Sequence, residues 1–214
     1  GYPPCCVAFF RDWSTWARKK VGKTGFVDIL PRVFANSKPP GGFSFLLNDA
    51  FYCYSRHWTD GDDARRRAVD ERNPGLDLSS LNILTWHPCG YHCAASLAAG
   101  RKIWSVMRSA APELAAQAGA CLSKPVLFWD WSRYAVLKGS CPEEGSCIYS
   151  GIAPPFSLLE EDALALLRAG DRLRAGKGRA TAVSVYKGKK LLGSFAKKPP
   201  LLLDFSSTGV RKNR

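Results

Sequence analysis

A chain of 214 residues, 46% of them hydrophobic, can bury one sizeable core and is too short for two large domains. Seven Trp, eleven Phe and seven Tyr exclude a chain disordered throughout, and no apolar run reaches the roughly 20 residues that cross a bilayer as a helix. The formal net charge of +13 is concentrated at one end: residues 168–214 hold thirteen Lys or Arg against only Asp171 and Asp204, so a polyanion, RNA first, is the expected partner.

With Gly1 first and Met107 the only Met, the expectation is a processed or trimmed chain. Residues 1–40 read as an amino-terminal arm. Phe9, Phe10, Trp13, Trp16, Ala17 and Val21 recur at helical spacing, Arg11, Arg18, Lys19 and Lys20 take the other positions, and Gly22 follows as a stop. Such an amphipathic helix docks on its own core, on a neighbouring protein or on a membrane surface; protein is the preferred reading. Residues 41–205 form the expected single mixed α/β domain, and residues 206–214 a basic tail.

Within that domain Phe43, Leu46, Leu47, Ala50, Phe51 and Tyr54 keep a helical rhythm and predict a core helix. Asp60-Gly-Asp-Asp63 places acids at the start of a polar helix over 64–72, ended by Asn73-Pro-Gly75. Arg65, Arg66 and Arg67 then read as a solvated face balanced by those acids. Residues 81–86 read as a strand, followed by a small-residue helix over 91–107 and a second helix from Pro112 to about residue 122. Residues 126–131 predict another strand, extending toward Leu137, so the middle of the chain has a β-α-β character.

A further helix is expected over 157–170, then a Gly- and Arg-rich linker. Residues 182–186 and 191–195 flank Lys187-Gly-Lys-Lys190, a β-hairpin with a cationic tip in which Gly188 supplies the left-handed turn conformation. Residues 201–205 lead into the tail.

Eight cysteines stand at positions 5, 6, 53, 89, 93, 121, 141 and 147. The even count fits a secreted, disulfide-bridged protein, but the irregular spacing favours reduced, buried thiols; Cys141 and Cys147 are the pair best placed for one disulfide. Trp86-His-Pro-Cys-Gly-Tyr-His-Cys93, placed between an expected strand and an expected helix, resembles a thioredoxin-type active site. That resemblance, shared by the order of expected elements, implies a thiol oxidoreductase using Cys89 and Cys93. The motif departs from it in spacing, with three residues between the thiols rather than two. Zinc is the other chemistry these residues invite, through Cys89, Cys93, His87 or His92 and a distant pair such as Cys141 and Cys147. A C-x3-C with a C-x5-C is a poor match to zinc knuckles, so no metal and no cofactor are expected. His57 beside Trp58 reads as a core residue, and no hydrolase motif accompanies the three histidines, so no catalytic residue is assigned.

The carboxyl-terminal region therefore carries the expected site. Arg172, Arg174, Lys177, Arg179, Lys187, Lys189, Lys190, Lys197, Lys198, Arg211, Lys212 and Arg214, interleaved with Gly and Pro, can follow a phosphate backbone. Tyr186 and Phe195 could stack on bases, although their strand positions fit ordinary packing. The expected function is a non-catalytic structural subunit of a large ribonucleoprotein, a mitochondrial ribosome first, with ribosomal RNA and neighbouring protein subunits as partners. An accessory subunit of a mitochondrial inner-membrane respiratory or ATP synthase complex, in peripheral contact with the membrane, is the alternative, and the thioredoxin-like oxidoreductase is the next.

Overall fold

A computed structural model describes residues 1–21, 29–37, 42–51, 60–76, 82–176 and 182–206. Its elements are α1 (Pro4–Val21), α2 (Leu30–Asn36), a 3-10 turn (Phe45–Leu47), α3 (Asp60–Glu71), α4 (Ala94–Ala110), α5 (Pro112–Leu122), β1 (Val126–Asp130), β2 (Arg133–Glu143), β3 (Ser146–Ala153), α6 (Glu161–Ala169), β4 (Arg172–Ala175), β5 (Val183–Lys187), β6 (Lys190–Phe195) and β7 (Leu201–Leu203). The chain is mixed α/β, as expected. Its sheet has seven strands in the order β6-β5-β4-β3-β2-β1-β7, and every pairing is antiparallel.

That order forces the sheet to curl. Six inter-strand spacings in a flat sheet would separate β6 from β7 by about 29 Å. The six steps from Phe195 to Leu201 reach only about 22 Å. Trp129 of β1 and Phe195 of β6 meet edge to face, with ring centroids 5.0 Å apart, so strands far apart in the order approach one another across the concave side. Leu127, Ala135, Leu137, Cys147, Tyr149, Leu173, Val183 and Val185 fill that side, with Leu159, Leu164, Leu166 and Leu167 from α6 and the turn before it closing over them.

Because side chains alternate across a strand, neighbouring residues of β1, β2 and β7 point the other way. Val126, Phe128, Tyr134, Val136 and Leu203 form a second core on the convex side, under a helical layer that supplies Leu30, Val33, Ala118 and Leu122. Strand β1 and the first half of β2, Tyr134 to Leu137, are thus buried on both faces. Strands β3 to β6 are covered on the concave side by α6.

Several elements differ from expectation. Residues 42–51 form only the short 3-10 turn, although Phe43, Leu46, Leu47, Ala50 and Phe51 are buried as predicted. The backbone here serves the sheet instead: the Phe43 N–H donates to the Asp204 carbonyl, Ser44 bridges to Ser206, and the Asn48 side chain takes the Ala50 N–H and donates to the Leu122 carbonyl. Residues 82–86 are irregular rather than a strand. The stretch 126–137 is two strands, because the Asp130 carboxylate accepts from the Ser132 and Arg133 N–H groups and folds the chain back. The expected linker after α6 contains β4. The β5–β6 hairpin is as predicted, with Gly188 at φ +58°. Tyr54, His57, Trp58 and Cys53 lie outside the described residues, as does the tail beyond Ser206.

Candidate nucleic-acid interface and cysteine cluster

On β4 and β5 the inward residues Leu173, Val183 and Val185 are fully buried, which turns Arg172, Arg174, Ser184 and Tyr186 to the convex side away from α6. Arg172 stands opposite Tyr186 in the register, and the Arg174 guanidinium lies 6.0 Å from the Tyr186 ring centroid. These residues line a cleft with Gly188 and Lys189 from the hairpin turn. Ile148, paired with Arg172, and Leu191, paired with Tyr186, extend the same face and are about half exposed. A phenol flanked by two guanidiniums on an open sheet offers a stacking surface beside phosphate-binding donors.

Asp171 organises the hairpin tip. Its carboxylate accepts from the Gly188 N–H at 2.9 Å and pairs with Lys187 Nζ at 3.5 Å. The Gly188 N–H, with help from Lys187, holds that carboxyl below its ordinary range. Lys187 is therefore partly neutralised, while Lys189 and Lys190 are exposed. Lys197 and Lys198 are exposed on the connection between β6 and β7. Of the expected RNA-contacting residues, Lys177, Arg179, Arg211, Lys212 and Arg214 lie outside the described residues. Phe195 faces the concave core against Trp129 and is not available for stacking, whereas Tyr186 is on the open side.

Among the described residues no strand precedes Cys89 and every strand pair is antiparallel, which differs from the thioredoxin-type placement. What forms instead is a four-thiol cluster. The helix expected from Phe9 begins five residues earlier, at Pro4, where a proline suits the first turn because its missing N–H would have no partner. That start puts Cys5 and Cys6 against Cys93, the amino-terminal cap of α4. Cys93 Sγ lies 3.6 Å from Cys5 Sγ and 3.7 Å from Cys6 Sγ, Cys5 and Cys6 Sγ are 3.9 Å apart, and the four sulfurs including Cys89 lie within 4.8 Å of one another.

The irregular loop over 86–93 is fixed from several sides. Asp49 accepts from Tyr91 Oη at 2.7 Å and pairs with His87 Nδ1 at 2.7 Å, with both the His87 and Asp49 side chains nearly inaccessible. The Asn36 side chain donates to the Cys89 carbonyl, and Ser37 Oγ accepts from the Tyr91 N–H at 2.7 Å. His87 is thereby committed to Asp49. Cys141 and Cys147, the pair best placed had one disulfide formed, are free thiols against the concave core, where hydrogen bonding between them and burial push the Cys141 thiol up.

Comparison with protein-family models, with curated proteins and with solved structures finds no match.

Proposed function

We propose that the protein is a non-catalytic structural subunit of a large ribonucleoprotein, a mitochondrial ribosome first, and that it meets RNA with the convex side of β4 and β5 and the hairpin tip. The observation that supports this is the uncovered sheet face bearing Arg172, Arg174 and Tyr186 beside Lys189, in the most basic part of a chain of net charge +13. Guanidiniums held on strands follow phosphates without sequence preference, and a tyrosine among them stacks on any base. Its test is sedimentation of the native protein from gently lysed cells, in detergent, with and without ribonuclease. Migration in a large particle that is lost on ribonuclease treatment is expected; migration that resists ribonuclease overturns the reading.

A second reading, the accessory subunit of an inner-membrane complex, draws on α1. Phe9 and Trp13 pack on the protein's own core, while Val7, Phe10 and Trp16 remain exposed, with Lys20 and Arg32 over the Trp16 ring. That surface suits a protein neighbour as its partner. Ribonuclease-resistant migration in a detergent-solubilised complex is the result that would favour it. Among the described residues no helix is long and apolar enough to cross a membrane.

A further inference from the structure

The cysteine cluster has the dimensions of a mononuclear metal site. Four thiolates at about 2.3 Å from one tetrahedral ion stand about 3.8 Å from one another. The three sulfur separations of 3.6, 3.7 and 3.9 Å bracket that value. A disulfide would draw two sulfurs to about 2.05 Å and leave the rest behind. Here Cys93 is almost equidistant from Cys5 and Cys6, and no pair is singled out. An iron–sulfur cluster distributes its cysteines over several irons separated by sulfides and needs a wider cage.

The groups around the sulfurs suit thiolates. Ser96, fully buried, accepts from Trp86 Nε1 at 3.1 Å and holds its hydroxyl 3.2 Å from Cys6 Sγ, within reach to donate to a thiolate there. The Ser96 N–H points at Cys93 Sγ from 3.5 Å, at the positive end of α4. Donors of this kind orient metal-bound thiolates and spread their charge. Cysteine binds a metal as the thiolate, and one divalent ion at the centre would offset the charge that four thiolates bring together.

We propose that Cys5, Cys6, Cys89 and Cys93 bind one zinc ion in a closed tetrathiolate site that fastens the first turn of α1 to the start of α4. Four protein ligands leave zinc no open position for water or substrate, so the site is structural rather than catalytic. Its ligands come from two places separated by more than eighty residues, so the ion closes a long loop and joins the amino-terminal arm to the domain.

The test uses the full chain, expressed with zinc in the medium and purified without chelator. Elemental analysis should find about one zinc per chain, falling at least tenfold in the Cys5→Ser/Cys6→Ser double variant and unchanged in Cys121→Ser. Because the double variant could fail to fold, wild-type protein stripped of metal under reducing conditions should also be titrated with cobalt(II). Thiolate-to-cobalt charge transfer and intense tetrahedral ligand-field bands should saturate at one equivalent. Metal-free protein whose four thiols all alkylate, or a disulfide linking any two of them in freshly purified protein, would overturn the site. One iron per chain in place of zinc would overturn the choice of ion.

Discussion

The strands β1 and β2 and the strands β4 and β5 belong to one sheet and are built by the same alternation, but they meet different neighbours. In β1 both sets of side chains are buried, Leu127 among the residues under α6 and Phe128 under the helical layer. In β4 and β5 one set is buried and the other carries Arg172, Arg174 and Tyr186. A strand covered twice contributes mainly to stability, while a strand covered once keeps a rigid face free to bind. The helical layer creates that asymmetry, because it packs on β1, β2 and β7 and leaves the convex side of β4 and β5 open.

The contrast is broken most severely by truncating a doubly covered residue. Phe128→Ala, at a site 1% exposed, should lower unfolding free energy by about 3–5 kcal/mol. Tyr186→Ala, on the open face, should change it by no more than about 0.5 kcal/mol. Urea denaturation of the two variants measures both, and equal losses would contradict the division. Asp49→Ala should cost about 1–3 kcal/mol, because it removes the buried acceptor that His87 and Tyr91 share.

A smaller effect sharpens the role of the concave side. A Cβ added at Gly170 would come within 2.4 Å of Val185 Cγ1 and 2.6 Å of Tyr149 Oη, whose hydroxyl donates to the Leu167 carbonyl. Gly170→Ala should therefore cost about 1–3 kcal/mol and disturb the seating of α6 under β5. Its thermal midpoint should fall, and RNA affinity should fall with it if α6 supports the open face. The smallest expected change is that of Lys187→Gln. With Lys187 already paired to Asp171, this variant should alter the salt dependence of RNA binding less than Lys189→Gln does, as read from parallel titrations.

Much of this layout was legible in the residues, wherever local chemistry and tertiary context agreed. The hairpin around Gly188 and the proline at the start of α5 are local signals and stand where they were expected, while the acidic first turn of α6 was recognised although the helix begins at Glu161, four residues after the expected entry. The stretch from Phe43 to Phe51 has helical periodicity, but its backbone is recruited by the edge of the sheet near Asp204 and Ser206, a demand that no local pattern announces. β4 was hidden because its alternating Arg-Leu-Arg resembles a charged linker unless the buried partner of Leu173 is known. The basic face was visible as charge, but not the separation of Tyr186 from Phe195, which depends on register: Phe195 pairs with inward-facing Val183, whereas Tyr186 pairs with exposed Leu191. The cysteine cluster was hidden by distance: Cys89 and Cys93 were recognisable, whereas the vicinal pair at 5 and 6 gained meaning only when α1 began at Pro4.

If the open face of β4 and β5 meets a phosphate backbone as proposed, the salt dependence of RNA binding must report it. Association constants for a structured RNA should be measured from low to physiological salt for the wild-type chain and for the variant Arg172→Gln/Arg174→Gln/Lys189→Gln. Each lost contact to a phosphate should reduce the slope of log K against log salt by roughly 0.7–0.9, so a fall of about 2–3 is predicted. An unchanged slope in a variant of unaltered stability would contradict the account.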